Sequence, residues 1–155
     1  MSEIELRPEL CNCLAIRQAA RHVTQFYDQF LAPVGLRTTQ FSILAKLKRL
    51  GPTPIKALAR ELVMDRTTLG RNILPLEREG LIAIVPARSD RRSKELDLTE
   101  AGAARLKSAV KKWALAQAQF EAEFGNRRTL ELRALLKAVT ESELGGAAEA
   151  GHGPV

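Results

Sequence analysis

The sequence is poor in the residues from which disulfide scaffolds, metal sites and most catalytic centres are built. Its 155 residues include two cysteines and two histidines, and His152 lies in a glycine-rich tail. No glycine-rich phosphate loop or metal-ligand motif is present in the sequence. We therefore expect that the protein is not an enzyme and that it holds no metal and no cofactor. A chain of this length can bury enough surface to fold without a disulfide or a metal.

Long apolar runs are missing as well. No stretch of about 18 apolar residues occurs, so no helix is expected to span a membrane. The segment from Met1 to Pro8 alternates acidic and apolar residues. It lacks the basic start and the apolar core of a signal peptide. The sequence therefore predicts a cytoplasmic protein, in which the default state of a cysteine is the reduced thiol.

Positive charge is in excess and unevenly distributed. The chain has 24 basic and 18 acidic residues, a net charge of +6, which favours a polyanionic partner. Residues 86–94 contain four basic residues and one acidic residue, and so hold half of that excess. A solvated basic loop would have the same composition, so the flanking segments must decide between the two interpretations.

Apolar spacing predicts a first helix over residues 10–31, which ends at Pro33 and Gly35. A second helix is expected to start after Thr38 as its N-cap and to end at Gly51.

A third, short helix is expected from Pro54 to about Val63, because Thr53 is a good N-cap residue and proline is favoured at the first helical position. Asp65 is the expected N-cap of a fourth helix, which ends near Glu79.

The pattern changes after Gly80. Residues 81–85 are apolar and β-branched, and residues 95–99 alternate with period two, which predicts a β-hairpin with a basic loop. Thr99 is the expected N-cap of a long helix. This helix carries an apolar seam that is expected to need another helix as partner: Leu106, Val110, Trp113 and Phe120.

Two short helices followed by a strand, a basic loop and a strand are the layout of a winged helix-turn-helix. Ala59 lies where the two helices must cross closely, with Leu58, Leu62 and Leu69 burying the angle between them. The second helix must then present short polar and basic groups to the major groove of double-stranded DNA. The candidate base-reading residues are Arg66, Thr67, Thr68, Arg71 and Asn72.

The basic loop would form the wing, whose arginines can enter a narrow minor groove. Its candidate DNA-binding residues are Arg88, Asp90, Arg91 and Arg92. We expect Asp90 to pair with a nearby arginine and so to order the loop.

Three segments together resemble the MarR family of bacterial transcription regulators: LEREGLI at 76–82, SDRRS at 89–93 and LTEAG at 98–102. The similarity extends over residues 10–144. It implies a homodimer of winged helix-turn-helix lobes, joined through the first and last helices, that binds a pseudo-palindromic operator. It also implies roles for the family's wing residues at Asp90 and Arg92, and for its recognition-helix contacts at Thr67, Thr68 and Arg71.

The expected fold is therefore mainly α with a small β-hairpin wing, a winged helix-turn-helix flanked by N- and C-terminal dimerisation helices. The predicted divisions are a dimerisation helix at 1–36, the DNA-binding domain at 37–99, dimerisation helices at 100–144 and a disordered tail at 145–155.

The N-terminal cysteines raise the question of the signal. Cys13 matches the reactive cysteine of the hydroperoxide-sensing subgroup of the family, and Tyr27 matches one of that subgroup's tyrosines. Arg17 stands where another tyrosine is expected, although an arginine one turn away would itself favour the reactive thiolate. The alternative is that Cys11 and Cys13 are small core residues.

These observations predict a DNA-binding transcription regulator, a repressor that is released by a small aromatic or phenolic ligand. The first alternative is a repressor that senses oxidants through Cys13. A more remote alternative is a protein that coats DNA without sequence preference, which would bind random DNA as tightly as any one site.

Overall fold

The computed structural model describes residues 4–145. Six helices and three strands follow one another in this order: α1 (Asn12–Leu31), α2 (Thr38–Leu50), β1 (Thr53–Pro54), α3 (Ile55–Glu61), α4 (Arg66–Arg78), β2 (Ile82–Pro86), β3 (Lys94–Leu98), α5 (Glu100–Phe124) and α6 (Asn126–Thr140). The chain divides into two compact units, residues 1–116 and 117–155, with the boundary inside α5. The predicted fold class is confirmed: the chain is mainly α, with a small β-hairpin that forms the wing of a winged helix-turn-helix.

The apolar sides of α3 and α4, the two helices of the helix-turn-helix, pack together in the core of the first unit. Ala59 and Leu58 of α3 are buried, as is Leu69 of α4, which confirms the close crossing predicted from their small and apolar side chains. The largest fully buried side chains come from several elements: Leu31, Ile43, Leu44, Leu47, Leu58, Leu69, Leu76, Leu81 and Ile82. An ion pair of 3.2 Å between Lys46 and Glu61 joins α2 to α3 at the surface.

The sheet has three antiparallel strands in the order β1-β3-β2, with Ile84 opposite Leu96 in the hairpin. The hairpin was predicted, but the prediction for residues 53 and 54 is wrong. Thr53 pairs with Leu96 and Pro54 with Glu95 at the edge of the sheet, where a proline is tolerated. The Thr53 hydroxyl donates to the Gly51 carbonyl oxygen at 2.8 Å and does not cap α3.

The predicted N-cap at Thr38 is also wrong by one residue. Thr38 is the first residue of α2, and Arg37 holds the N-cap position. The hydrogen-bond acceptor at the start of α2 is the carboxylate of Asp28 in α1, ten residues earlier in the sequence. Its Oδ1 accepts from the backbone N–H of Thr38 at 2.6 Å and from the Thr38 hydroxyl at 2.7 Å. The end of α1 is thereby fixed to the start of α2.

The N-cap predicted at Asp65 is confirmed. Its Oδ1 accepts from the backbone N–H of Thr68 at 2.8 Å, and its Oδ2 accepts from the Thr68 hydroxyl at 2.6 Å. The hydroxyl is the largest cause, and the backbone N–H the next, of a lowered pKa of the Asp65 carboxyl. The carboxylate therefore stays ionised and faces the N-terminal turn of α4.

Thr99 joins the end of α4 to the start of α5. Its hydroxyl oxygen accepts from the backbone N–H of Gly102 at 3.0 Å, which is the predicted N-cap contact. The same hydroxyl donates to the Gly80 carbonyl oxygen at 2.6 Å, while the Thr99 N–H donates to the Leu81 carbonyl oxygen. Gly102 is buried against Leu81 at this junction, and α5 approaches the Leu81 backbone so closely that no side chain fits there.

The predicted seam along α5 does not need a partner along its whole length. Leu106 is buried in the core of the first unit, and the Trp113 ring stacks on Phe41 of α2 at 6.0 Å between centroids. Trp113 thus has a helical partner within its own chain, Phe41 of α2, and Leu106 contributes to the core of the first unit. Val110 lies outside this contact and is 44% exposed.

The second unit contains the end of α5 and the last helix. The Phe120 and Phe124 rings lie 5.7 Å apart, and the Arg128 guanidinium lies 4.2 Å from the Phe124 centroid. Four large apolar side chains of α6 are exposed, Leu130, Leu135, Leu136 and Val139, while Leu132 is half-buried. The predicted tail at 145–155 lies outside the described residues, apart from Gly145 at the end of a 3-10 turn.

We expect Gly102→Ala to destabilise the protein by about 1–3 kcal/mol, since a Cβ would overlap the Leu81 carbonyl oxygen and lie 2.7 Å from Leu98 Cδ1. Gly70→Ala is the matched control, because a Cβ at Gly70, also inside a helix, meets nothing within 4 Å. Gly70→Ala should raise the free energy of unfolding by about 0.5–1 kcal/mol, because glycine inside a helix is less stable than alanine. Urea denaturation measures both, and equal effects of the two substitutions would refute the close approach at Gly102.

We expect Thr68→Val to raise the pKa of Asp65 towards its ordinary value of 3.8, because the hydroxyl that stabilises the carboxylate is lost. A lowered pKa stabilises the fold above the ordinary pKa, and this contribution disappears as the pH falls through the folded-state value. The variant should therefore lose less stability than the wild type on acidification. Titration of the Asp65 carboxyl carbon by NMR tests this, with Thr67→Val as a control that should leave the pKa unchanged.

Candidate nucleic-acid interface

The helix α4 has one buried and one solvent-facing side. Leu69, Ile73 and Leu76 are buried. With about 3.6 residues per turn, the opposite side carries residues two positions before or after these three. We call it the outer ridge of α4, and it consists of Thr67, Arg71, Leu74 and Arg78, all exposed. Burial of the apolar stripe therefore determines which polar groups point into solvent.

The structure separates the five predicted recognition residues into two groups. Arg66, Thr67 and Arg71 are exposed, and their side chains make no hydrogen bond or ion pair within residues 4–145. Thr68 and Asn72 are already engaged inside the helix. Thr68 donates its hydroxyl proton to Asp65, and the Asn72 side-chain amide donates to the Thr68 carbonyl oxygen at 2.9 Å.

Two residues of the outer ridge were missed from the sequence. Leu74 is 52% exposed although it is apolar, and Arg78 is exposed in the last turn of the helix. Both follow Arg71 at spacings of three and seven, so the helical period alone could have placed them on the same side. Leu74, between Arg71 and Arg78, gives this surface an exposed apolar group. Such a group can contact the methyl group of a thymine in the major groove.

The wing is the loop that joins β2 to β3. The backbone N–H of Ala87, itself buried, donates to the Ser93 carbonyl oxygen at 2.9 Å and closes the base of the loop. Asp90 accepts from the backbone N–H of Arg92 at 3.0 Å and from the Ser93 hydroxyl at 3.4 Å. The three predicted wing arginines are all exposed: Arg88, Arg91 and Arg92.

Asp90 orders the loop, as predicted, but through a different contact. Across the part of the chain that the structure describes, its carboxylate forms no ion pair with an arginine. The backbone amide of Arg92 takes that place, because the tight turn brings this N–H to the carboxylate. The guanidinium groups of the wing are consequently left to face solvent.

Both cysteines lie at the N-terminal end of α1, and both are exposed. Cys11 is the N-cap residue, and its Sγ accepts from the backbone N–H of Leu14 at 3.4 Å. The interpretation of Cys11 and Cys13 as core residues is therefore wrong for this chain. Tyr27 is buried fourteen residues further along α1, about 21 Å from Cys13 at the helical rise, so the two cannot touch within one chain.

Neither a metal site nor a membrane span is found in the described part of the chain. No three side chains among His, Cys, Asp and Glu cluster closely enough in residues 4–145 to hold a metal ion. Within the same residues, no helix is both long and apolar enough to cross a membrane.

Comparisons with known proteins agree with this architecture. The model of the MarR family matches residues 36–94, which run from the start of α2 into β3. The transcriptional activatory protein BadR of Rhodopseudomonas palustris is 33% identical over 105 residues, which cover 63% of this chain and 59% of BadR. This alignment thus spans less than two thirds of BadR.

Solved structures extend the likeness to most of the chain. The M. tuberculosis transcriptional regulator MosR, solved in complex with DNA, is 37% identical with a TM-score of 0.71, and the match covers 92% of this chain and 98% of MosR. CouR from Rhodococcus jostii RHA1, solved with p-coumaroyl-CoA, has a TM-score of 0.72 over 88% of this chain and 96% of CouR. At 19% identity, CouR shares the fold alone. From the agreement of sequence and structure, the chain belongs to the MarR family of transcriptional regulators.

Proposed function

We propose that this protein binds a specific DNA operator and represses transcription, with α4 in the major groove and the wing in the adjacent minor groove. The observation that carries this proposal is the outer ridge of α4. Two side chains near its start, Thr67 and Arg71, are exposed and make no bond within residues 4–145. The N-terminal turns of a recognition helix are the part that meets base edges.

The residues of α4 would then have distinct roles. Arg71 presents a guanidinium that can pair bidentately with a guanine edge. Thr67, one turn earlier, offers a methyl group and a hydroxyl to the neighbouring base. Thr68 and Asn72 would support α4 from within, because Thr68 bonds to Asp65 and Asn72 bonds to Thr68. Arg66 at the first position of α4 suits a phosphate contact.

The wing suits a contact that depends on charge more than on sequence. Its arginines are exposed on a loop that Asp90 holds in shape. A narrow minor groove has an enhanced negative potential that attracts arginine. Arg92 would enter the groove, and Asp90 would act through the backbone position of Arg92 without touching DNA.

We further propose a homodimer. Large apolar side chains are exposed at both ends of the chain: Ile4, Leu6, Leu10 and Ile16 near α1, and Leu130, Leu135, Leu136 and Val139 on α6. Apolar surfaces of this extent are usually covered by a partner. A two-fold dimer would present two α4 helices to successive major grooves, roughly 34–36 Å apart, and would match a pseudo-palindromic operator.

We propose that a small aromatic ligand releases the protein from DNA. Two facts support this part of the proposal: CouR, which shares the fold, is solved with an aromatic acyl thioester, and α1 carries an aromatic cluster. The Phe26 ring lies 5.6 Å from Tyr27 and 5.2 Å from Phe30. A ligand that displaced α1 would change the separation of the two recognition helices without touching DNA.

The exposure of Cys13 favours a thiol switch as the second candidate. An exposed thiol is open to a hydroperoxide, which would oxidise the thiolate to a sulfenic acid and be reduced to an alcohol. The added oxygen at the N-terminal end of α1 would then disturb the same interface.

The test of the proposed function is a titration of the protein with DNA that flanks its own gene. A regulator should bind an inverted repeat there about 10³-fold or more tightly than random DNA of equal length. Equal affinity for both duplexes would instead identify a protein that coats DNA.

Arg71→Ala should cost about 1–3 kcal/mol of operator binding and relax the preference at one base pair of each half-site, because a base-edge contact is lost. Arg127→Ala removes the same charge from α6, where Arg127 forms an exposed ion pair with Glu131, and should leave binding unchanged. Fluorescence anisotropy with single-base operator variants measures both effects. An unaltered base preference in the Arg71 variant would exclude this residue from readout.

Arg92→Ala should weaken binding to operator and random DNA alike, and should reduce the salt slope by about 1. The reason is that a minor-groove arginine contributes mainly charge. Titrations at several salt concentrations measure the slope. The wing assignment would be wrong if affinity and slope both stayed at their wild-type values.

Cys13→Ser distinguishes the two candidate signals. We expect the variant to keep the response to a small aromatic ligand, and micromolar organic hydroperoxide to leave wild-type protein on the operator. Gel-shift assays with each agent give the answer. Release of the wild type by hydroperoxide, together with continued binding of the Cys13→Ser variant, would establish the thiol switch instead.

A further inference from the structure

A second basic surface lies on the first helix of the helix-turn-helix and on the segment before it. Residues 46–61, from α2 to the end of α3, contain five basic residues and one acidic residue. The acidic residue, Glu61, is already paired with Lys46 at 3.2 Å. The other four basic side chains are exposed and form no ion pair within residues 4–145: Lys48, Arg49, Lys56 and Arg60.

A groove of about 380 Å³ opens on this surface, and we call it the α3 groove. Most of the residues that line it are apolar: Leu50, Pro52, Pro54 and Ala57. Leu50 is 43% exposed, and both prolines are exposed as well. Arg60 lies in the same lining and places a positive charge beside these apolar groups. The α3 groove therefore suits a molecule that has both apolar and negatively charged groups.

Val63, which follows α3, has a backbone conformation that is unfavourable for a valine. Its φ of 51° lies in the left-handed region, where a β-branched residue is strained. The side chain is 72% exposed, so burial in the core does not compensate for this strain. The Val63 N–H donates to the Arg60 carbonyl oxygen at 3.1 Å, which places Val63 next to the α3 groove. Strained residues of this kind are concentrated at functional surfaces.

We propose that the α3 groove docks an acidic segment of another protein, in which apolar side chains alternate with carboxylates. The apolar side chains of that segment would contact Leu50 and Val63, and its carboxylates would pair with Arg60 and Lys56. Complementary charge would speed up the association and would disfavour basic partners. Docking at the α3 groove does not depend on operator binding.

DNA is the other polyanion that a basic surface could bind. A phosphate backbone would pair with Arg60 and Lys56 but would leave the apolar side chains of Leu50 and Val63 uncovered. An acidic peptide covers both kinds of group, so the apolar lining favours a protein partner. The α3 groove also shares no residue with the outer ridge of α4 or with the wing. The proposed DNA contacts therefore leave it available to a second macromolecule.

Titration of the full chain without DNA tests the docking site by fluorescence anisotropy. The probe is a labelled peptide of three Asp-Phe-Asp-Leu repeats. One control peptide has lysine in place of every aspartate, and the other has serine in place of every phenylalanine and leucine. We expect the probe to bind at least about tenfold more tightly than either control. No binding of the probe, or equal binding of the serine peptide, would overturn the proposal.

Substitutions locate the binding of the probe. Arg60→Glu should weaken it at least about tenfold, because the new carboxylate repels those of the peptide. Arg88→Glu makes the same reversal on the wing and should leave the affinity for the peptide within about twofold. Leu50→Ser should weaken binding at least about threefold with no change in charge. Equal losses in the two arginine variants, or full affinity in the Leu50 variant, would contradict docking at the α3 groove.

Val63→Gly separates contact with the peptide from stability of the fold. Glycine adopts a positive φ without strain, so the variant should have a melting temperature about 2–4 °C higher. Loss of the valine side chain should at the same time weaken binding of the probe at least about threefold. An affinity equal to that of the wild type would exclude Val63 from the docking surface.

Two further measurements identify the other possible occupants. Arg60→Ala should leave the salt slope of operator binding unchanged, whereas a slope lower by about 1 would identify the DNA backbone as the occupant. An acetylated peptide of residues 1–10 of this chain contains three glutamates and one arginine. It should bind at least about tenfold more weakly than the probe, and equal affinity would identify a second copy of the chain. Either of these results would overturn the proposal.

Discussion

The burial of one side of α4 determines which side chains of this helix face solvent. Leu69, Ile73 and Leu76 are almost fully withdrawn from water. Each such side chain contributes about 1.5–3 kcal/mol when it is buried, so rotation of α4 about its axis would be costly. The outer ridge of α4, which includes Arg71, therefore faces solvent because the opposite side of the helix is packed into the core. Its polar side chains need no hydrogen bonds to hold that orientation.

Short hydrogen-bonded junctions fix the ends of this helix and relate it to its neighbours. Asp65 holds the start through Thr68, and Thr99 links the residue after the helix, Gly80, to the first turn of α5. The recognition helix thus has a fixed start and a fixed end. An ion pair of 3.5 Å between Arg105 and Glu79 also joins the end of α4 to α5.

The sequence predicted what is local and missed what depends on distant partners. The caps at Asp65 and Thr99 are set by residues within one turn, so they could be recognised directly. Thr53 was assigned to a helix because its strand partner, Leu96, is more than forty residues away. The seam that contains Trp113 was predicted without its partner, Phe41 of α2, because helical periodicity shows which side is apolar and not which element covers it.

We have proposed that two copies of α4, each with its outer ridge facing solvent, read a symmetric DNA site. Selection of bound sequences from a pool of random duplexes tests it most directly, because no operator has to be assumed. We expect an enriched inverted repeat whose half-site centres lie about one helical turn apart, roughly 10–10.5 base pairs. Enrichment of a single asymmetric motif, or of no motif at all, would contradict it.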